Sequence, residues 1–102
     1  MKALDTTTDD AGDSKKPLMV LDCYATWCPP CKAIAPKFEE YSQKYNQAAF
    51  YKVNVDEAPD VAHELGIRSM PTFAYFKNGE RVLEVSGAAP AMIEGAISQH
   101  LA

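Results

Sequence analysis

Leu18-Met19-Val20-Leu21-Asp22-Cys23-Tyr24-Ala25-Thr26-Trp27-Cys28-Pro29-Pro30-Cys31-Lys32 is the stretch whose reading decides the fold. Its first eight residues are a near-continuous apolar run broken only by Asp22, the pattern of a strand covered on both faces. From Pro30 to about Tyr45 the apolar residues Ile34, Ala35, Phe38, Tyr41 and Tyr45 recur at helical spacing, with a kink predicted at Pro36. Two thiols three positions apart therefore stand where a central strand gives way to a helix, and can close a small disulfide ring and open it again. A Cys-x-x-Cys pair alone also serves zinc, iron–sulfur clusters and structural staples, so its surroundings must decide.

Outward from this stretch, Phe50 to Val55 reads as a second strand, and Pro59 opens a short helix that Gly66 ends. Thr72–Phe76, the pair Asn78-Gly79 and Arg81–Ser86 predict a β-hairpin, because Asn-Gly accepts the positive φ angles of a tight turn. Pro90 starts a last helix. This order predicts an α/β fold: a central mixed sheet of four to five strands, parallel at first and antiparallel at the hairpin, flanked by helices on both faces. Asp5 to Ser14 is too poor in apolar residues to bury much of a helix. Helix starts lie at the carboxyl ends of strands, the edge where sites gather in such sheets.

With 102 residues, the chain is expected to form one domain over 1–102 around its own hydrophobic core. The net charge is −4, and the ten Lys and Arg are scattered rather than gathered into a stripe, which argues against nucleic acid as a partner. Met1 to Lys16 has no apolar leader core, no run approaches spanning length, and the ending is not a retention signal. The expected location is the cytosol, with no membrane partner. Three cysteines do not make a disulfide framework, so in a reducing compartment a paired Cys28 and Cys31 suits catalysis better than structure.

At a helix N-cap, the Cys28 sulfur meets the positive end of the helix dipole, while Cys31, one turn in, is shielded by the helix body. Cys28 is then the attacking thiolate and Cys31 the resolving thiol. Pro29 and Pro30 have no N–H, which leaves chiefly the amides of Cys31 and Lys32 for Cys28, and Pro30 disfavours helical angles at Pro29, so the helix is expected one residue late. A purely structural disulfide would constrain little chain across so small a ring. Zinc would need His63 and His100, which lack the paired spacing of structural sites, and no metal is expected.

Asp22 is a carboxylate in a buried strand, with its pKa expected to rise unless paired. Two readings stand side by side: a general base approaching Cys31 from below, or a structural carboxylate paired with Lys52 on the neighbouring strand. Strand alternation turns Cys23 to the opposite face as an inert core thiol. Met70-Pro71-Thr72 opens the hairpin, where the residues alone favour an ordinary strand-opening proline over a cis bond.

Taken together, Asp22, the run from Trp27 to Lys32, Pro36, Lys52, Arg68, Met70-Pro71-Thr72, Asn78-Gly79 and Gly87 resemble the thioredoxins, most of all the cytosolic thioredoxins of fungi. The resemblance covers about Leu18 to Leu101. It implies the thioredoxin fold, with Cys28 as nucleophile, Cys31 as resolving thiol, Asp22 as buried proton acceptor and donor, and Lys52 as its partner. It also implies a cis Pro71 beside the disulfide, and a substrate groove formed by Trp27, Met70, Pro71, Thr72, Gly87 and Ala88. Pro29 departs from the family, which usually has Gly there, and is expected to shift the redox potential. The family's first strand and helix fall within Met1 to Lys16, where only Met1, Ala3 and Leu4 resemble a strand, so that layer is expected to be loose.

The implied activity is reduction of protein disulfides by dithiol exchange, acting as a monomer on disulfide-containing proteins. No cofactor is bound; electrons come from NADPH through thioredoxin reductase. Two alternatives are a redox-gated binding module using the same groove, and an oxidase- or isomerase-like variant that Pro29 leaves open.

Overall fold

The computed structural model describes residues 4–6 and 17–101. The stretch expected as the central strand forms β2, Leu18–Tyr24, and lies third in a five-stranded sheet. The others are β1 (Leu4–Thr6), β3 (Ala48–Asn54), β4 (Thr72–Lys77) and β5 (Glu80–Ser86), in the order β1-β3-β2-β4-β5. β2 runs parallel to β3 and antiparallel to β4, so the sheet is mixed as expected. Leu4–Thr6 pairs with β3. The expectations about the rest of the N-terminal layer, including a helix in 5–14, fall largely outside the described residues.

Side-chain alternation along β2 gives the sheet two cores. Leu18 and Val20 join Phe50, Phe73 and Tyr75 under α1 (Pro29–Lys44) and α3 (Pro90–Leu101). Leu21 and Cys23 join Val53 and Ala74 under α2 (Pro59–Leu65), which ends at Gly66 in the left-handed conformation (φ 72°). On the first face, Phe38 meets Phe50 edge-on at 5.4 Å between ring centroids and Phe73 at 5.6 Å. Truncating such a fully buried Phe costs about 3–5 kcal/mol, so this cluster fixes how α1 lies on the sheet. The Tyr41 and Tyr75 hydroxyls donate to the carbonyls of Pro90 and Ile93, tying α3 to α1 and β4.

Pro36 does not end α1, whose buried Ile34, Phe38 and Tyr41 continue one stripe through it. Asn78 (φ 54°) and Gly79 (φ 81°) form the two-residue hairpin turn that their sequence predicts. A register shift between Tyr75 and Phe76 was not foreseeable from the alternation. His100 is half-buried and stacks on Tyr75.

Candidate active site

The strand directions bring four chain segments to one edge of the sheet. Parallel β2 and β3 both end there, antiparallel β4 begins there, and β5, antiparallel to β4, ends there. The residues leaving β2 reach Trp27 and Cys28, those entering β4 are Met70 and Pro71, and those leaving β5 are Gly87 and Ala88. This edge therefore collects nearly every residue that the sequence suggested for the site.

Cys28 and Cys31 are joined in a disulfide. Cys28 is the N-cap of α1, with extended backbone, and its sulfur accepts the Cys31 N–H at 3.2 Å, while the Lys32 N–H goes to the Cys28 carbonyl. The helix starts at Pro29, not one residue later as expected: a Pro at the first helical position leaves no hydrogen bond unmade and has a φ already suited to the helix. Position also separates the two prolines. A capping side chain draws on the amides of the second and third helical residues; Pro30 removes the former and Cys31 supplies the latter. Pro29 thus withholds no donor that the cap would use, contrary to the reading of Pro29 as a lost donor.

Burial does not distinguish the two sulfurs as expected. Cys28 is 3% exposed and Cys31 5%, both packed with Ala25, Tyr24, Val55 and Met70. The inequality between them lies in the helix: one sulfur caps it and receives an amide. Met70 stands against the pair, its carbonyl oxygen 3.6 Å from the Cys28 sulfur and able to accept the thiol hydrogen once the ring opens.

The Met70-Pro71 bond is cis, as the resemblance implied and the residues alone did not favour. Contacts both near and far in sequence surround it. Gly87 N–H donates to the Pro71 carbonyl at 2.9 Å, and the Thr72 hydroxyl donates to the Ser69 carbonyl at 2.6 Å. Gly87 has φ 96°, a conformation that side chains strain, which gives this glycine a physical reason. Ala88, half-buried, packs against the α1–α3 core. Trp27 stands in the open at 62% exposure, its indole N–H donating to Asp56 Oδ2 at 2.8 Å. Asp56 was missed by sequence reasoning, because a lone Asp before a helix reads as solvated; a surface aromatic near the cysteines was the one signal that could have prompted a search for its partner.

Asp22 is 1% exposed, and its Oδ1 has no hydrogen-bond partner. Burial pushes its pKa up to about 7, against the opposing pull of Lys52, which sits directly across from it in the β2–β3 register. The Lys52 ammonium lies over the Tyr24 ring at 5.1 Å. Burial of the carboxylate on the α1 face of β2 and its position across from Lys52 are consistent with either reading of Asp22. Cys23 points the other way, and burial, then the Asp22 charge, push its thiol up to about 12. Among the described residues no group of three or more His, Cys, Asp or Glu could hold a metal ion, and no helix is long and apolar enough to cross a membrane.

Comparison with known proteins agrees with this geometry. The thioredoxin family profile matches residues 4–99. The chain is 51% identical over 84 residues to Thioredoxin-1 of Schizosaccharomyces pombe, covering 82% of each chain. Among solved structures, the Malassezia sympodialis thioredoxin superposes with a TM-score of 0.81 at 48% identity, covering 85% of this chain and 77% of that one. The mitochondrial thioredoxin 3 of Saccharomyces cerevisiae gives 0.81 at 38% identity, covering 84% and 81%. These likenesses favour disulfide exchange over the binding-module and oxidase readings. A disulfide ring capping a helix, at the sheet edge where a cis proline enters, here serves the reduction of protein disulfides, and the chain belongs to the thioredoxin family of thiol–disulfide oxidoreductases.

Proposed function

We propose that the reduced chain attacks a protein disulfide through the Cys28 thiolate. The observation that carries this role is the Cys31 N–H directed at the Cys28 sulfur at 3.2 Å, at the positive end of α1, an arrangement that favours the thiolate. The Cys28 sulfur bonds to one substrate sulfur, and the other leaves as a thiolate that takes a proton from water. Cys31 then gives its proton to the Asp22 carboxylate and attacks the Cys28 sulfur. The internal disulfide forms, the second substrate thiolate departs and takes a proton from water, and Asp22 returns its proton to solvent. Two electrons have passed from the dithiol to the substrate, which ends as two thiols, while this chain holds the disulfide.

Lys52 keeps part of the Asp22 population ionised near neutral pH, as the carboxylate must be to accept the proton. Pro29 and Pro30 set the geometry of the ring. Trp27, Met70, Pro71, Thr72, Gly87 and Ala88 form the groove for an extended substrate segment, with the Met70 backbone offering strand-like pairing. The chain works as a single-domain monomer. Family membership supports thioredoxin reductase, fed by NADPH, as the source of electrons. A reductant needs a compartment that re-reduces it, and we assign the cytosol; a similar yeast protein is mitochondrial, so cell fractionation is the test of that assignment.

The roles of the cysteines are tested by trapping. Cys31→Ser should accumulate a covalent complex with insulin whose mass spectrum places the link at Cys28, and Cys28→Ser should lose insulin reduction. Undiminished turnover in either variant, or a link at Cys31 in the wild-type chain, would overturn the assignment.

A further inference from the structure

Trp27 and Asp56 leave neighbouring parallel strands at the same edge. Tyr24 and Asn54 are register partners at the ends of β2 and β3, and the Val55 N–H donates to the Tyr24 carbonyl at 2.9 Å. Three residues beyond Tyr24 stands the indole; two beyond Asn54 stands the carboxylate that accepts from it at 2.8 Å. Asp56 is itself held. Its backbone N–H donates to Asn54 Oδ1 at 3.0 Å, and Asn54, 6% exposed, accepts from the Glu57 and Ala58 amides through its own carbonyl. A tryptophan this exposed has little packing to choose its rotamer. Here a charge-assisted bond does so, from a turn fixed by a buried side chain.

We infer that Asp56 is a positioning residue for the reduction of protein disulfides: anchored by Asn54, its carboxylate holds the Trp27 indole as a fixed wall beside Cys28. This rests on the reading of Trp27 as part of the substrate groove. A fixed wall spares a protein substrate the ordering of that side chain on binding, whereas a disulfide too small to fill the groove gains nothing from it.

The test mixes the reduced chain with insulin, and separately with the small neutral hydroxyethyl disulfide, and follows the second-order rate of each. Asp56→Ala should slow insulin reduction by about three- to tenfold, the range of one surface hydrogen bond, and leave the hydroxyethyl disulfide rate unchanged. Asp56→Asn, which keeps an oxygen acceptor, should restore most of the insulin rate. Trp27 is the chain's one tryptophan, so its fluorescence anisotropy decay should gain a fast component in Asp56→Ala and not in Asp56→Asn. Equal slowing of both disulfides, or an unchanged anisotropy decay, would overturn the inference. So would an unchanged insulin rate in Asp56→Ala while Trp27→Ala is slow, an outcome that leaves the groove standing. No effect of Trp27→Ala on insulin would remove the groove reading and this inference together.

Discussion

The two faces of the sheet are built from the same strands and differ in what they bury. The α1 and α3 face holds the fully buried aromatic rings Phe38, Phe50, Phe73 and Tyr75 and is the face of the buried Asp22 carboxylate; the α2 face has a smaller buried core of Leu21, Val53, Ala58 and Ala74 around the Cys23 thiol. The two residues are neighbours on β2, and burial raises both pKa values, to about 7 and about 12. The same physical cause has opposite chemical consequences. It carries a carboxylate into the range where protons are exchanged at neutral pH, and carries a thiol out of it. Location completes the difference, since only the α1 face lies beneath the helix whose first turn holds the disulfide ring.

The largest expected contrast is in turnover. Cys28→Ser should abolish insulin reduction, while Cys23→Ala, on the α2 face, should retain it and lose only about 1 kcal/mol of stability for a small packing defect. Loss of activity in Cys23→Ala without unfolding would erase the distinction between the faces.

Next comes stability against pH. An Asp pKa raised from 3.8 to about 7 means that the folded chain binds a proton the unfolded chain has released. The stability penalty is absent below pH 4, grows as pH rises towards 7, and reaches about 4 kcal/mol above it. Asp22→Asn should therefore stabilise the protein in urea unfolding at pH 8 by roughly that amount and have little effect at pH 4. An equal effect at both would mean that the carboxylate is not elevated.

The smallest effect concerns the ring itself. Because Pro29 occupies the first helical position and withholds no capping amide, its influence is on loop stiffness. Pro29→Gly gives freedom chiefly to the open dithiol, and should make the potential less negative by about 10–20 mV, the equivalent of 0.4–1 kcal/mol for two electrons. Equilibration of both forms with glutathione measures it; identical potentials would refute it.

How much of this was legible in the sequence follows from which forces are local. The β2 run, the α1 stripe and the Asn78-Gly79 turn declare themselves because periodicity and turn chemistry act within a few residues. Cys28 as an N-cap followed from the same logic. The cis isomer at Pro71 did not, and only the family resemblance supplied it. Burial of Asp22 was readable from its strand, but the opposing action of Lys52 was one of two open readings until the register placed them side by side. The equal burial of Cys28 and Cys31, and the bond from Trp27 to Asp56, depend on how loops from separate strands meet, which no local pattern records.

The central claim is that Asp22 takes the proton of Cys31 as the mixed disulfide resolves. It is tested most directly by forming the mixed disulfide between Cys28 and a cysteine peptide, and timing peptide release at neutral pH in the wild-type chain and in Asp22→Asn. The account predicts release at least about tenfold slower in the variant, as expected on loss of a positioned general base, with formation of the mixed disulfide unchanged. Equal release rates would contradict it and leave Asp22 a structural carboxylate.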